Sequence, residues 1–210
     1  MTAIALQRGG SRAGWISLVA ALAVLAGLWC GPLLPLSRTA FSAHMLLHLG
    51  LVVVAAPLLG LALAAHLPSP RGFANALGWY LLAGAFEMVA VWGWHIPLLH
   101  DAAGHNLPLF AVEQASFLAG GTALWAALWT ARTPAAALAA AITAFFAFAH
   151  TSMFGLLLSL VPRLIYDPNL CQGAFGLDRL DDQHLGGALM AVSGLVYLAA
   201  AAVLCVRVLR

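Results

Sequence analysis

Six long apolar stretches constrain this 210-residue chain more than any other feature of its sequence. They cover residues 15–30, 41–65, 75–96, 108–129, 134–160 and 184–206. A helix needs about 20 mostly apolar residues to cross the hydrocarbon core of a bilayer, and the stretches are close to that length. Only 8% of the residues are charged, whereas a soluble domain has roughly a quarter. The sequence therefore predicts an all-α fold, a polytopic membrane helix bundle of about six transmembrane helices.

The connections between these stretches are short, with the exception of residues 161–183. This loop contains four of the seven acidic residues of the chain. No internal repeat or basic tract is evident, and a net charge of +2 does not indicate nucleic-acid binding. We expect residues 1–210 to form a single integral membrane domain without a soluble module.

The arginines predict how the bundle is oriented, because loops on the cytoplasmic side of a membrane are enriched in basic residues. If the N-terminus is inside, the inner side carries six arginines, at positions 8, 12, 71, 132, 207 and 210. The outer side then carries three, at positions 38, 163 and 179. We expect both termini to be cytoplasmic and the loop 161–183 to be outside.

Histidine, methionine and glutamate side chains fall in the outer half of the predicted bundle. Ionisable residues inside apolar helices are costly, and they indicate function by default. His44 and His48 share one helix face because they are four residues apart. Glu87 lies deep in the third stretch, where a carboxyl group must be protonated or paired. Only His66 lies on the inner side.

These residues predict a metal site, because imidazole and thioether groups together suit copper, especially Cu(I). The candidate ligands are His44, His48, His95, His150, His184, Met153 and Glu87. We expect the imidazoles of His48 and His150 to approach one common point. Their replacement by Ala should then reduce copper binding, Glu87→Gln should have an intermediate effect, and His66→Ala should have none.

Other interpretations of the same residues remain open. A histidine at a helix end can be an interfacial residue or a cap, and a deeper one can make a structural hydrogen bond. His48 and His150 also suit the axial positions of a haem, which would make the protein a redox protein. Glu87 would be the relay in a proton or metal-ion transporter. The protein could also be a structural partner without a metal.

Two smaller predictions concern the outer side. Asp181 or Asp182 is suited to cap the N-terminus of the last helix. Cys30 and Cys171 both face an oxidising compartment if the topology is correct. They predict either a disulfide or a thiol near the point where copper enters.

Several short motifs follow one another in the order of a known family. They are HMLLH at 44–48, APLL at 56–59, WHIP at 94–97 and DQHLGG at 182–187. Further matches are His100, Glu113, Phe117, Gly121, Trp125, His150, Gly155 and Met190. Together they resemble the CtaG family of cytochrome c oxidase assembly factors, from about residue 40 to about residue 200. This chain departs from the family pattern at Gln114, where a His often follows the Glu.

The resemblance implies a non-enzymatic metallochaperone of the bacterial inner membrane, active in respiratory chain biogenesis. Such a protein would bind copper near the outer face through His residues. It would deliver the metal to a subunit of a haem-copper cytochrome c oxidase or act with another assembly factor. The expected partners are the lipid bilayer and that subunit or factor, and no nucleic acid is expected.

Overall fold

The computed structural model describes residues 2–209, and it describes the side chains of residues 12–209. The eight helices of this part are α1 (Thr2–Cys30), α2 (Leu33–Leu36), α3 (Phe41–Ala64), α4 (Phe73–Trp94), α5 (Pro97–His105), α6 (Leu107–Trp129), α7 (Pro134–Leu160) and α8 (Arg179–Val208). No strand occurs among these residues, which confirms the all-α prediction. Of the arginines used to orient the chain, the side chain of Arg8 and all of Arg210 lie outside the described residues.

Five of the described helices are long and apolar enough to cross a membrane. They are Arg12–Cys30, Phe41–Ala64, Phe73–Trp94, Pro134–Leu160 and Arg179–Val208. The 23-residue helix α6 is as long as the others, but it carries the polar residues Glu113 and Gln114. Both of these side chains are buried in the bundle, so α6 does not expose them to lipid. The prediction of a membrane helix bundle is confirmed.

At each end of the bundle an arginine donates a hydrogen bond to a backbone carbonyl oxygen. At the end that holds the termini, Arg132 donates to the carbonyl oxygen of Ala64 at 2.8 Å. At the opposite end, which we call the distal end, Arg38 donates to the carbonyl oxygen of Gly104 at 2.7 Å. The distal end consists of α2, α5 and the loop 161–178. His66 follows α3 at the terminal end and is exposed there.

Three details differ from the sequence predictions. The short helices α2 and α5 were not predicted, and Pro97 begins α5 as well as following α4. Helix α8 begins at Arg179, five residues before the predicted start. Its N-cap is Asp178, whose carboxylate accepts hydrogen bonds from the backbone amides of Leu180 and Asp181. The prediction that Asp181 or Asp182 caps this helix is therefore wrong.

Helix α3 contains a π-helical segment, Gly50–Ala55, directly after the first two turns. In a π-helix the amide of residue 57 would donate to the carbonyl of residue 52, but residue 57 is a proline and has no N–H group. The indole of Trp125 donates to the carbonyl oxygen of Val52 instead, at 3.0 Å. A side chain of α6 thus satisfies the backbone of α3 and holds the two helices in register.

Helices α7 and α8 cross very closely. A Cβ atom added at Gly187 would lie 2.6 Å from the backbone nitrogen of Ser159, and one added at Gly155 would clash with that of Ala191. Only glycine permits this backbone approach. The hydroxyl of Ser152 donates across the contact to the carbonyl oxygen of Ala191 at 2.8 Å.

Candidate metal centre

Three fully buried or nearly buried side chains converge near the distal end of the bundle. The Nε2 atom of His44 lies 3.4 Å from Oε1 of Glu113, and the Nε2 atom of His48 lies 3.7 Å from Oε2. One ligand atom from each residue falls within 4.8 Å of the others. Glu113 is 0% exposed, so bulk water does not screen this group of atoms. We call the three residues the metal centre.

Helix α3 places the two histidines side by side. Their rings are 4.1 Å apart between centroids because the spacing of four brings them to one helix face. The N-terminus of α3 is fixed by Asp182 of α8. Its carboxylate accepts hydrogen bonds from the amides of Phe41, at 2.7 Å, and Ser42, at 3.3 Å, and from the Ser42 hydroxyl. Asp182 therefore caps α3 rather than its own helix, and it sets the position of His44.

The hydrogen bonds of the histidines define which nitrogen atoms can act as ligands. The Nδ1 atom of His44 lies 3.2 Å from the carbonyl oxygen of Ser37, so Nδ1 carries the proton. Its Nε2 lone pair then faces Glu113, and neither this Nε2 nor Oε1 of Glu113 has a hydrogen-bond partner. The amide of Gln114 donates to Nε2 of His48 at 3.0 Å and occupies the lone pair of that atom, so this hydrogen bond must open before His48 can bind a metal through Nε2.

These acceptor atoms repel one another unless something positive lies between them. A proton or a metal cation would remove the repulsion. Metal bonds of about 2.0–2.1 Å to nitrogen and oxygen place neighbouring tetrahedral ligands about 3.3 Å apart. The observed separations of 3.4 and 3.7 Å are close to that value. The side chains present fit a bound cation once the Gln114 amide moves away from His48 and the ligand atoms, now within 4.8 Å of one another, close to that spacing.

A second layer of side chains surrounds the centre. His95 follows α4, and its Nε2 lies 3.5 Å from the thioether sulfur of Met45. The ring of His95 is 6.1 Å from that of His48, so this pair is close to the centre but not part of it. The ring of His100 in α5 lies between the rings of His44 and Tyr166, with centroid distances of 4.7 and 4.2 Å.

His100 is uncharged in this setting. Burial lowers the pKa of His100 well below its ordinary value, and nearby His44 acts in the same direction. A neutral imidazole beside His44 adds no positive charge that would oppose a cation in the metal centre.

The group of ligand atoms within 4.8 Å of one another that contains His48 does not include His150. The Nε2 of His150 lies 3.0 Å from Oε2 of Glu87, and the hydroxyl of Tyr197 donates to Oε1 of Glu87 at 3.4 Å. A cavity of about 30 Å³, lined by His48 on one side and Glu87 on the other, lies between the two groups. The expectation that His48 and His150 approach one point is corrected: the carboxylate of Glu87 is the partner of His150.

The cavity also bears on the haem interpretation. About 30 Å³ accommodates roughly one or two water molecules, far less than a macrocycle. The two imidazoles that would ligate the iron axially belong to different polar groups. We therefore do not retain a haem between His48 and His150.

Two other predicted ligands lie away from the metal centre. The side chain of Met153 is 49% exposed on the outer surface of α7. The Nε2 of His184 contacts the carbonyl oxygen of Val161 at 2.9 Å, which ties the start of the distal loop to α8. The exposed Met153 faces away from the bundle, and His184 is not part of the group of ligand atoms that lie within 4.8 Å of one another.

The cysteines do not form the predicted bridge. Cys30 and Cys171 are free thiols, the first exposed and the second buried. Burial raises the pKa of Cys171 to about 12, and the nearby carboxylates of Asp182, Asp101 and Asp167 add to the effect. Since the thiolate is the form that binds metals, Cys171 is a poor ligand at neutral pH.

Comparison with known proteins identifies a family for the whole chain. The family model described as cytochrome c oxidase caa3 assembly factor (Caa3_CtaG) matches residues 2–210. Searches of curated proteins and of solved structures found no match.

Proposed function

The chain belongs to the family of cytochrome c oxidase caa3 assembly factors, and we propose that it contributes to assembly by handling copper. In this proposal, one copper ion binds to His44, His48 and Glu113 at the distal end of the bundle. The protein then passes the ion to a subunit of the oxidase. Transfer of an ion between ligand sets breaks no covalent bond of a substrate, so the role is that of a metallochaperone and not of an enzyme.

The observation that carries this proposal is the convergence of unpaired acceptor atoms. The Nε2 of His44 and Oε1 of Glu113 are buried, lack hydrogen-bond partners and face each other at 3.4 Å. Buried polar atoms are normally hydrogen-bonded, because an unpaired one costs about 1–3 kcal/mol. A bound cation supplies the missing partner to both atoms at once.

We propose copper because imidazole accepts it and because the family is that of a cytochrome c oxidase assembly factor. Imidazole nitrogen binds copper well, and the thioether of Met45, next to His95, is a soft ligand of the kind that Cu(I) accepts. The site requires neutral imidazoles, so protons compete with the metal. We expect copper affinity to fall as the pH is lowered.

We further propose that the protein lies in a bacterial inner membrane with both termini in the cytoplasm. The arginine distribution supports this orientation, since six of nine arginines belong to the sequence segments predicted to lie on the inner side. The metal centre would then open to the outer side. A reporter enzyme fused after Arg210 should behave as cytoplasmic, and periplasmic activity would contradict this topology.

The experiment that tests the proposal compares His44→Ala and His48→Ala with the matched control His66→Ala. Each variant replaces the natural protein in its own cells, and membranes are assayed for its abundance, oxidase activity and oxidase copper content. We expect both centre variants to accumulate normally and to lower oxidase copper at least tenfold, with the control unchanged. Wild-type copper content in both centre variants would contradict the proposal.

A further inference from the structure

The second layer beside the metal centre contains two buried ligand atoms that face each other without a proton between them. Nδ1 of His95 lies 2.6 Å from the carbonyl oxygen of Val91, and since a carbonyl only accepts, Nδ1 carries the ring proton. The ring makes no ion pair with a carboxylate of the described residues, so a second, charging proton would be costly in this buried position. Nε2 of His95 therefore presents a lone pair to the thioether sulfur of Met45, at 3.5 Å. A thioether has no proton to donate, so neither atom satisfies the other.

The separation of these two atoms matches that of two ligands that share a metal ion. Metal bonds of about 2.0–2.1 Å to imidazole nitrogen and about 2.3 Å to sulfur, at a tetrahedral angle, place the ligand atoms about 3.5–3.6 Å apart. The distance from Nε2 of His95 to the sulfur of Met45 is 3.5 Å. An ion can therefore bind both atoms at their present separation, and it would supply the positive partner that both lack.

An internal cavity adjoins this pair and brings a third ligand within reach. His95, Met45 and Met190 all line the cavity of about 30 Å³ described above. Met190 is buried, and it lies four residues after Gly186 on the same face of α8. A Cβ atom added at Gly186 would lie 3.0 Å from Cγ of Met45, so this face of α8 packs on Met45. Because a methionine side chain is unbranched and flexible, Met190 can offer a second thioether to an ion in the cavity.

This set of ligands favours a soft cation with a single charge. One imidazole and two thioethers are neutral, so they offset none of the charge that a divalent ion would bring into the interior. Thioether sulfur suits Cu(I), whereas Mg²⁺, Ca²⁺ and Mn²⁺ prefer carboxylate, carbonyl and water oxygen. Glu87 also lines the cavity, but its two carboxylate oxygens lie next to His150 and Tyr197. The chemistry of the three ligands therefore indicates Cu(I).

We propose that His95, Met45 and Met190 form a second metal site, selective for Cu(I), beside the metal centre. This inference goes beyond the proposed function, which places one ion on the metal centre alone. The two sites are neighbours, because His48 of the metal centre also lines the cavity and its ring lies 6.1 Å from that of His95. Neutral ligands hold a cation less tightly than a set that includes the carboxylate of Glu113. The second site therefore fills after the metal centre and empties when the protein is passed through a gel-filtration column.

The test adds one and then two equivalents of Cu(I) to the detergent-purified, full-length protein without oxygen. X-ray absorption at the copper edge is recorded after each addition, with no separation step in between. We expect sulfur scatterers at about 2.3 Å to appear only with the second equivalent, beside nitrogen from an imidazole. A spectrum at two equivalents that contains only nitrogen and oxygen ligands would overturn the inference.

Variants separate the second site from the metal centre. Met45→Leu keeps about the same side-chain volume, so it should retain the first ion while it weakens binding of the second at least tenfold. The matched control Met153→Leu removes an exposed thioether and should change neither. His44→Ala should lose the first ion and still bind Cu(I) with sulfur ligands, so the two proposals can fail separately. Wild-type affinity for the second ion in Met45→Leu would refute the site, and loss of both ions in Met45→Leu would contradict two separate sites.

Discussion

Glu113→Gln tests the electrostatic basis of the metal centre. This substitution keeps the shape of the side chain and removes its negative charge. It also directs an amide group at one of the two imidazoles, since the carboxylate oxygens lie 3.4 Å from His44 Nε2 and 3.7 Å from His48 Nε2. An N–H donor can occupy the imidazole lone pair that would otherwise bind the metal.

The size of the effect follows from the distances. A cation about 2.1 Å from a carboxylate oxygen is attracted by about 8 kcal/mol at an effective dielectric constant of about 20. Since about 1.4 kcal/mol corresponds to a factor of ten, half of this attraction already amounts to roughly a thousandfold in affinity. The amide oxygen of Gln can still act as a weak ligand. We therefore expect Glu113→Gln to weaken Cu(I) binding by about 100- to 1000-fold.

The assay is a competition titration of the detergent-purified protein against a chromogenic Cu(I) chelator. Glu87→Gln is the matched control, because it makes the same change at the carboxylate that pairs with His150. We expect Glu87→Gln to weaken Cu(I) binding by about tenfold, which is less than the effect of Glu113→Gln, because Glu87 is not a ligand in the centre. Equal affinities for Glu113→Gln and the wild type would refute the assignment of Glu113 to the centre.

Three further predictions concern the scaffold. Asp182→Ala should lower the free energy of unfolding by about 3–5 kcal/mol in thermal denaturation, because buried amides of α3 lose a charged acceptor, whereas the exposed Asp181→Ala should have little effect. Gly187→Ala should lower the free energy of unfolding by about 1–3 kcal/mol, because the added Cβ would lie 2.6 Å from the backbone nitrogen of Ser159. The control Gly78→Ala has open space around the added Cβ and should not lower it. Equal stabilities of the two variants would contradict the packing of α7 against α8. Cys171 should resist maleimide at pH 8 and react only after denaturation, because its pKa is about 12; rapid labelling of the native protein would contradict its burial.

The sequence was sufficient to predict the fold class. The bilayer fixes how long an apolar helix must be, so the spans follow from counting. Residues four apart lie on the same face of a helix, so the close approach of His44 and His48 could also be predicted. The family resemblance was confirmed across residues 2–210.

Depth alone could not predict which helix faces meet. Met153 and His150 are three residues apart on α7, yet one is exposed and the other is buried against Glu87. The rotation of α7 about its axis depends on close backbone contacts such as that of Gly155, which depth does not reveal. Glu113, like Glu87, is a carboxyl group within an apolar helix. The same criterion would therefore have selected Glu113 from the sequence.

The interactions between distant segments were the hardest to predict. Asp182 caps a helix that begins 141 residues earlier, and nothing in its local sequence separates this role from capping its own helix. Gln114 was noted in the sequence only as a departure from the family pattern, whereas in the structure its amide contacts His48. Both roles depend on how the helices pack.

The most direct test of the metal centre is X-ray absorption at the copper edge on the detergent-purified protein, loaded with one equivalent of copper. We predict scattering from two imidazole ligands and an oxygen ligand in the wild type. The double variant His44→Ala, His48→Ala should lose bound copper. Copper retained by the double variant with an unchanged spectrum, or a thiolate sulfur among the ligands, would contradict the account.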